Sequence, residues 1–249
     1  MQIAIREEAS VDRAIIEALY PQAFPDEDLL PVLGELWQDP EQQHLEGAGA
    51  TNQLEATFSA DGASMVLVHE SGQGADLYIA RWDGRVWSQP APLTSINTAA
   101  NERGPSLSSD GRLLYFASDR EGGKGGYDIY AARWDGRDWV DPRGLPSTVN
   151  SPSDELAPTL SADGTQMFFS SDRDGSGSQD IFVSSITIKQ KGPPEFSYAE
   201  PVDALNSKAA DLQAAITKRG DHVFLASDRD RSESSGFKVY ISRVVDGEA

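Results

Sequence analysis

The stretch SDRDGSGSQDIF, residues 171–182, sets Asp172, Asp174, Ser176, Ser178 and Asp180 at alternating positions of a glycine-containing loop. Hard oxygen ligands on a flexible loop are what Ca2+ requires, and backbone carbonyls complete such cages. Asp172, Asp174, Ser176 and Asp180 are therefore the candidate metal ligands. The loop lacks the terminal bidentate Glu of an EF-hand. The competing assignment is a polar hairpin tip whose aspartates bond backbone amides or pair with Arg173. No other cofactor is required by any motif. The three histidines, His44, His69 and His222, stand in unrelated contexts, and His69-Glu70 lacks the second histidine of a zincin helix. There is no G-x-S-x-G elbow and no phosphate-binding glycine fingerprint. With no cysteine in the chain, thiolate catalysis, disulfides and Cys-ligated zinc are excluded.

The elements that must hold these residues are repeated. ARWDGRVW (80–87) returns as ARWDGRDW (132–139), and the match extends into modules near 56–90, 104–142, 157–185 and 214–243. The glycine of a shared tight turn falls at 62, 111, 164 and 220, a period of about fifty residues. Within 104–142, PSLSSDG reads as a strand entering an Asp-Gly turn and RLLYFASD as a buried apolar strand. YDIYAARW alternates with period two, and a second Asp-Gly reverses the chain into RDWVDP. ARWDGRxW is then a hairpin whose paired tryptophans, Trp82/Trp87 and Trp134/Trp139, pack across it. Four-stranded units at this period predict an all-β fold, a β-propeller of antiparallel sheets, with four blades the parsimonious count and a larger ring its rival.

The last module stops after its third strand, while LWQDP (36–40) matches VWSQP (86–90) and DWVDP (138–142). Residues 36–40 are accordingly expected to supply the outer strand of the last blade and lock the ring. Residues 1–35 form an N-terminal arm, helical over part of its length around EEASVDRAIIEALY, and 36–249 form the propeller.

Charged positions divide into two sets. Arg120, Arg173 and Arg229 recur beside Asp119, Asp172 and Asp228, and Glu102, Glu155 and Asp211 recur in the links. Repetition in step with the blades points to structural ties between neighbouring blades. Departures from the repeat mark candidate binding residues: His69 and Glu70 in the first module, where the others read SDR, and Arg219 and Lys238 in the fourth. Closure between those modules would bring the four residues together.

With SADG/SSDG, FASDR/FSSDR (116–120, 169–173), YDIY/QDIF (127–130, 179–182) and the W-x-x-P link followed by Val149, Asn150 and Glu155 aligned, the chain resembles the PD40 group of WD40-like propellers. TolB is among its relatives. The nearest likeness is to propellers that bacterial envelope proteins carry beside OmpA-like domains. That resemblance implies a periplasmic or cell-envelope location and a protein partner. No OmpA-like domain follows here, so peptidoglycan binding does not carry over.

Composition bounds the rest. Lys plus Arg total 21 against 40 Asp plus Glu, a net charge of −19, which repels nucleic acid and anionic lipid. No run of about 20 apolar residues exists to insert in a membrane, and MQIAIREEASVDRA has no apolar core of a signal peptide. The expectation is a noncatalytic protein-binding or scaffolding propeller. The alternative, a carbohydrate lyase or glycosidase, requires carboxylates, histidine or metal converging at one channel mouth.

Overall fold

A computed structural model of the chain describes residues 2–6, 52–71, 74–173, 178–189, 192–217, 220–229 and 237–245. They form four blades of a β-propeller, every strand antiparallel to its neighbour, and no helix occurs among the described residues. The outermost strand of the last blade is β1 (Gln2–Arg6). Blade one follows as β2 (Asn52–Phe58), β3 (Ser64–Ser71), β4 (Gly74–Arg81) and β5 (Ala91–Pro92). Blade two is β6 (Glu102–Leu107), β7 (Leu113–Ser118), β8 (Asp128–Trp134) and β9 (Trp139–Gly144). Blade three is β10 (Glu155–Leu160), β11 (Gln166–Ser171) and β12 (Asp180–Thr187), with two short outer pieces, β13 (Glu195–Phe196) and β14 (Glu200–Pro201), both on β12. Blade four is β15 (Asp211–Ile216), β16 (His222–Ser227) and β17 (Lys238–Val245), completed by β1.

The turns are built as their residues dictate. Ser59, Ser108 and Ser161 each donate to the turn aspartate two residues on, Asp61, Asp110 and Asp163. These bonds, with those from the following backbone amides, hold Asp61 and Asp163 below the usual carboxylate range. In blade four, Thr217 donates to Asp221 at 2.7 Å instead. The repeated octapeptides are hairpins, with Trp82 and Trp87 bridged and their rings 5.5 Å apart. Trp134 and Trp139 are paired in register at 4.7 Å.

Every first strand carries a bulge, between Gln53/Ala56, Arg103/Ser106, Leu156/Thr159 and Asp211/Gln213. At the bulges of β6 and β10, Gly104 and Ala157 take φ of 58° and 49°. The core lies between blades, where alternation sends one face of each sheet to its predecessor and the other to its successor. Val66, Val68 and Leu77 meet Leu114 and Phe116 between blades one and two. Tyr115 and Ile129 meet Met167 and Phe169 between two and three, and Phe168 and Ile181 meet Val223 and Leu225 between three and four.

The place beside β17 expected for residues 36–40 is held by Gln2–Arg6, in register from Gln2 opposite Val245 to Arg6 opposite Ile241. Residues 36–40 and the helical reading of the arm lie outside the described residues. First strands pack in the order β2–β6–β10–β15, whereas β15 and β2 make no substantial contact among the described residues.

Candidate functional site

The recurring charges are consumed by the joints between blades. In each joint a link asparagine grips the third strand of the preceding blade. Asn97 accepts from Leu77 N (3.0 Å) and donates to Leu77 O (2.9 Å). Asn150 does the same at Ile129, and Asn206 at Ile181. The carbonyl just before each asparagine accepts from an arginine of the following blade: Arg120 to Ile96, Arg173 to Val149, Arg229 to Leu205. Each arginine also pairs with a carboxylate that is fully buried. The distances are 3.0 Å for Arg120–Glu102 and Arg173–Glu155, and 2.7 Å for Arg229–Asp211. Rings complete each pocket, with Arg120 over Phe116 and Tyr130, Arg173 over Phe169 and Phe182, and Arg229 over Tyr240. The neighbouring aspartates accept from link amides, Asp119 from Asn101, Asp172 from Asp154 and Asp228 from Ala210. These residues are the structural ties that their spacing implied.

That assignment bears on the proposed calcium ligands. Asp172 spends one oxygen on the Asp154 amide at 3.0 Å. Asp180 lies buried at the start of β12 and lines a small pocket with Arg173. Asp174 and Ser176 lie outside the described residues. Among the described residues no group of three or more His, Asp or Glu side chains is placed to hold a metal.

Among the described residues, the candidate binding residues His69 and Glu70 lie in blade one and Lys238 lies in blade four. His69 packs at a tilt against Tyr78 with centroids 4.8 Å apart, and Glu70 pairs with Arg103 of blade two. Lys238 opens β17 opposite Ser227, in a blade that makes no substantial contact with blade one among the described residues. Arg219 lies outside the described residues. The loop 121–127 is pressed on the next link. Tyr127 N donates to Asp154, and a Cβ at Gly125 would collide with the Ser153 carbonyl.

What breaks the repeat is the outer hairpin of blade three. The W-x-x-P proline follows Asp76 and Asp128 by 14 residues, at Pro90 and Pro142, but follows Asp180 by 21, at Pro201. TIKQKGPPEF replaces the WDGRxW hairpin, and Tyr198 takes the tryptophan position, 77% exposed where Trp139 is buried. Between this hairpin and blade two lies a cleft of about 1300 Å³. Its apolar lining includes Tyr115, Leu160, Ile186, Ile188 and Phe196. Burial pushes the Tyr115 phenol well above its ordinary pKa. Ile188 is 74% exposed.

Charged groups rim the cleft, and most are already engaged. Arg133 pairs with Asp141 at 3.0 Å, Lys189 with Glu195, and Arg112 lies 3.9 Å from Asp110. Arg143 is exposed, and its guanidinium has no partner among the described residues. The buried Thr148 Oγ1, also in the lining, has no hydrogen-bond partner among them either. Among the described residues the cleft thus offers apolar contact, one uncommitted cation and one uncommitted hydroxyl. Motif reading missed it because its lining comes from two blades and a non-repeating hairpin; the seven-residue lengthening was the available signal.

No protein-family model matches the chain, and no curated protein matches it. Solved structures do. The putative TolB from Agrobacterium tumefaciens superposes with a TM-score of 0.54 at 19% identity, over 77% of this chain and 62% of that one. A luciferin-regenerating enzyme gives 0.50 at 12%, over 81% and 64%. TolB from Acinetobacter baumannii gives 0.48 at 18%, over 76% and 40%. The chain spans less than two thirds of each of these proteins. The fold is that of the TolB-like β-propellers, an architecture that also carries enzymes, so function must be argued from the site.

Proposed function

We propose that the chain is a noncatalytic binding and scaffolding module of a bacterial cell-envelope assembly, and that the cleft between blades two and three receives a segment of its protein partner. The observation that carries this reading is the cleft itself, placed where blade three departs from the repeat. At about 1300 Å³ it exceeds the roughly 300–1,000 Å³ of small-molecule pockets and suits several residues of extended chain. Apolar side chains of the segment lie against Ile186, Ile188 and Phe196, a carboxylate pairs with Arg143, and a backbone group satisfies Thr148. The envelope placement and the link to PD40 and OmpA-type proteins rest on the sequence resemblance and the TolB-like fold.

The test is capture from an extract of the source organism, with calcium and with chelator, using the wild-type chain and Ile188→Asp/Arg143→Glu in parallel. Proteins retained by the wild type and lost from the double variant are expected. Identical sets on both baits would overturn the cleft as the binding site. Retention only in calcium, if Asp172→Asn abolishes it, would assign the ion to the 172–180 loop.

A further inference from the structure

Two neighbouring joints can be compared residue by residue at their outer ends. Where blade two meets blade one, the WDGRDW hairpin of blade two supplies a key. Trp139 is buried, Trp134 packs against the same core, and Asp138 accepts from the Ser95 hydroxyl at 3.0 Å. Blade one supplies the socket. Its Arg81 guanidinium lies over the Trp134 ring, 6.0 Å from the centroid, and Ser95 stands two residues before the link asparagine, Asn97.

Where blade three meets blade two, the socket is repeated. Arg133 stands in the register of Arg81, and Thr148 stands before Asn150 as Ser95 stands before Asn97. The key is not repeated. Ile186 takes the place of Trp134: the Trp134 amide donates to Arg112 O and the Ile186 amide to Thr165 O, each the residue after a turn glycine. Arg133 accordingly has no ring against it among the described residues, and Thr148 Oγ1 meets no carboxylate there. Glu195 is paired with Lys189 instead. Arg133, Thr148, Ile186 and Glu195 all line the cleft.

Building on the cleft as the site of a partner segment, we infer that this segment brings the missing key: an aromatic side chain, best an indole, next to an aspartate or glutamate. The ring sits on Ile186 against the Arg133 guanidinium, as Trp134 lies under Arg81. The carboxylate accepts from Thr148 as Asp138 accepts from Ser95. Three observations favour this chemistry. The contact repeats one that the chain already makes a joint earlier. In the lining, Arg112, Arg133, Arg143 and Lys189 balance Asp110, Asp141, Asp163 and Glu195, on a chain with 40 acids and 21 bases. An acidic segment therefore meets less repulsion here than over the rest of the surface. Finally, β9 is a poor template for an added strand, because Pro142 has no N–H and Asp141 turns to φ of 54°. Recognition is left to side chains.

The experiment is selection of a random peptide library, displayed on phage, against the wild-type chain and against Ile188→Asp/Arg143→Glu. Peptides enriched on the wild type and lost on the variant are expected to carry an aromatic residue next to Asp or Glu. In a synthetic peptide of such a sequence, replacing the aromatic residue by Ala should weaken binding about tenfold or more in calorimetric titration. Replacing the acid by its amide should weaken binding about threefold to tenfold, and Thr148→Val should remove that difference. Ile186→Trp, which restores the side chain of the filled joint, should abolish peptide binding with unchanged circular dichroism. Cleft-dependent peptides that lack the aromatic–acid pair would overturn the inference while leaving the cleft as a binding site. So would an acid preference that survives Thr148→Val. If no peptide depends on the cleft, the inference and the reading of the cleft fall together.

Discussion

The joints between blades and the cleft beside blade three use the same residue types to opposite ends. At a joint, a largely buried arginine is held by a carboxylate, a carbonyl and aromatic faces. At the cleft, arginine is exposed, and Arg143 has no partner among the described residues. The joints recur at fixed spacing, while the cleft arises where the spacing stretches from 14 to 21 residues. Charge that repeats with the fold holds the fold together. Charge that departs from the period is available to something else.

The comparison breaks most severely at a joint. Arg173→Ala strands the fully buried Glu155 carboxylate and should cost about 3–5 kcal/mol in chemical denaturation. If the loss falls below about 1 kcal/mol, the joints are not what holds neighbouring blades. Next in size is Gly125→Ala, whose Cβ must displace the Ser153 backbone, at about 1–3 kcal/mol. Gly122→Ala meets nothing, but sits at φ of 91° and should cost about 1 kcal/mol from backbone strain alone.

Smaller again is the acid dependence of the turns. Asp61 and Asp163 have folded pKa values below 3.8, so their stabilisation is complete above that value and disappears as pH falls through the lowered folded values. Asp61→Asn/Asp163→Asn should melt below wild type at pH 7, and the gap should close on acidification below pH 3.8. A gap constant with pH would mean that the carboxylates do not stabilise the turns through their charge. The least effect on folding is expected at the cleft, where Arg143→Glu or Ile188→Asp should stay within about 0.5 kcal/mol of wild type while altering partner retention. A large destabilisation there would erase the distinction between the two regions.

Much of this architecture was legible in the sequence. The turn glycines at 62, 111, 164 and 220 gave the blades, and the co-recurrence of Arg120, Arg173 and Arg229 with Glu102, Glu155 and Asp211 gave the joints. Both signals are local or periodic, so each copy reinforces the others. The outer strand Gln2–Arg6 was not legible. QIAIR is five residues of alternation with no turn signal tying it to Val245, more than two hundred positions away, whereas LWQDP carried a motif shared with two other blades. The cleft was illegible for a different reason, because repeat reading discards the segment that fails to repeat. His69, Glu70, Arg219 and Lys238 were singled out as departures too, but a departure in one letter need not create space. Seven added residues in the blade-three hairpin do.

Ile96-Asn97, Val149-Asn150 and Leu205-Asn206 are adjacent residues held by different blades, the carbonyl by the blade ahead and the asparagine by the blade behind. A gene duplication that copied one blade from its first strand to its last would deliver a sheet without the asparagine that fastens its successor. A copied unit that straddles two blades, with its ends in an outer hairpin, carries the link intact inside it. New breakpoints for circular permutation should survive in hairpins such as Trp82–Trp87 and fail within the links. The lengthened hairpin of blade three lies in this tolerant zone, where inherited sequence can change without loosening the joints.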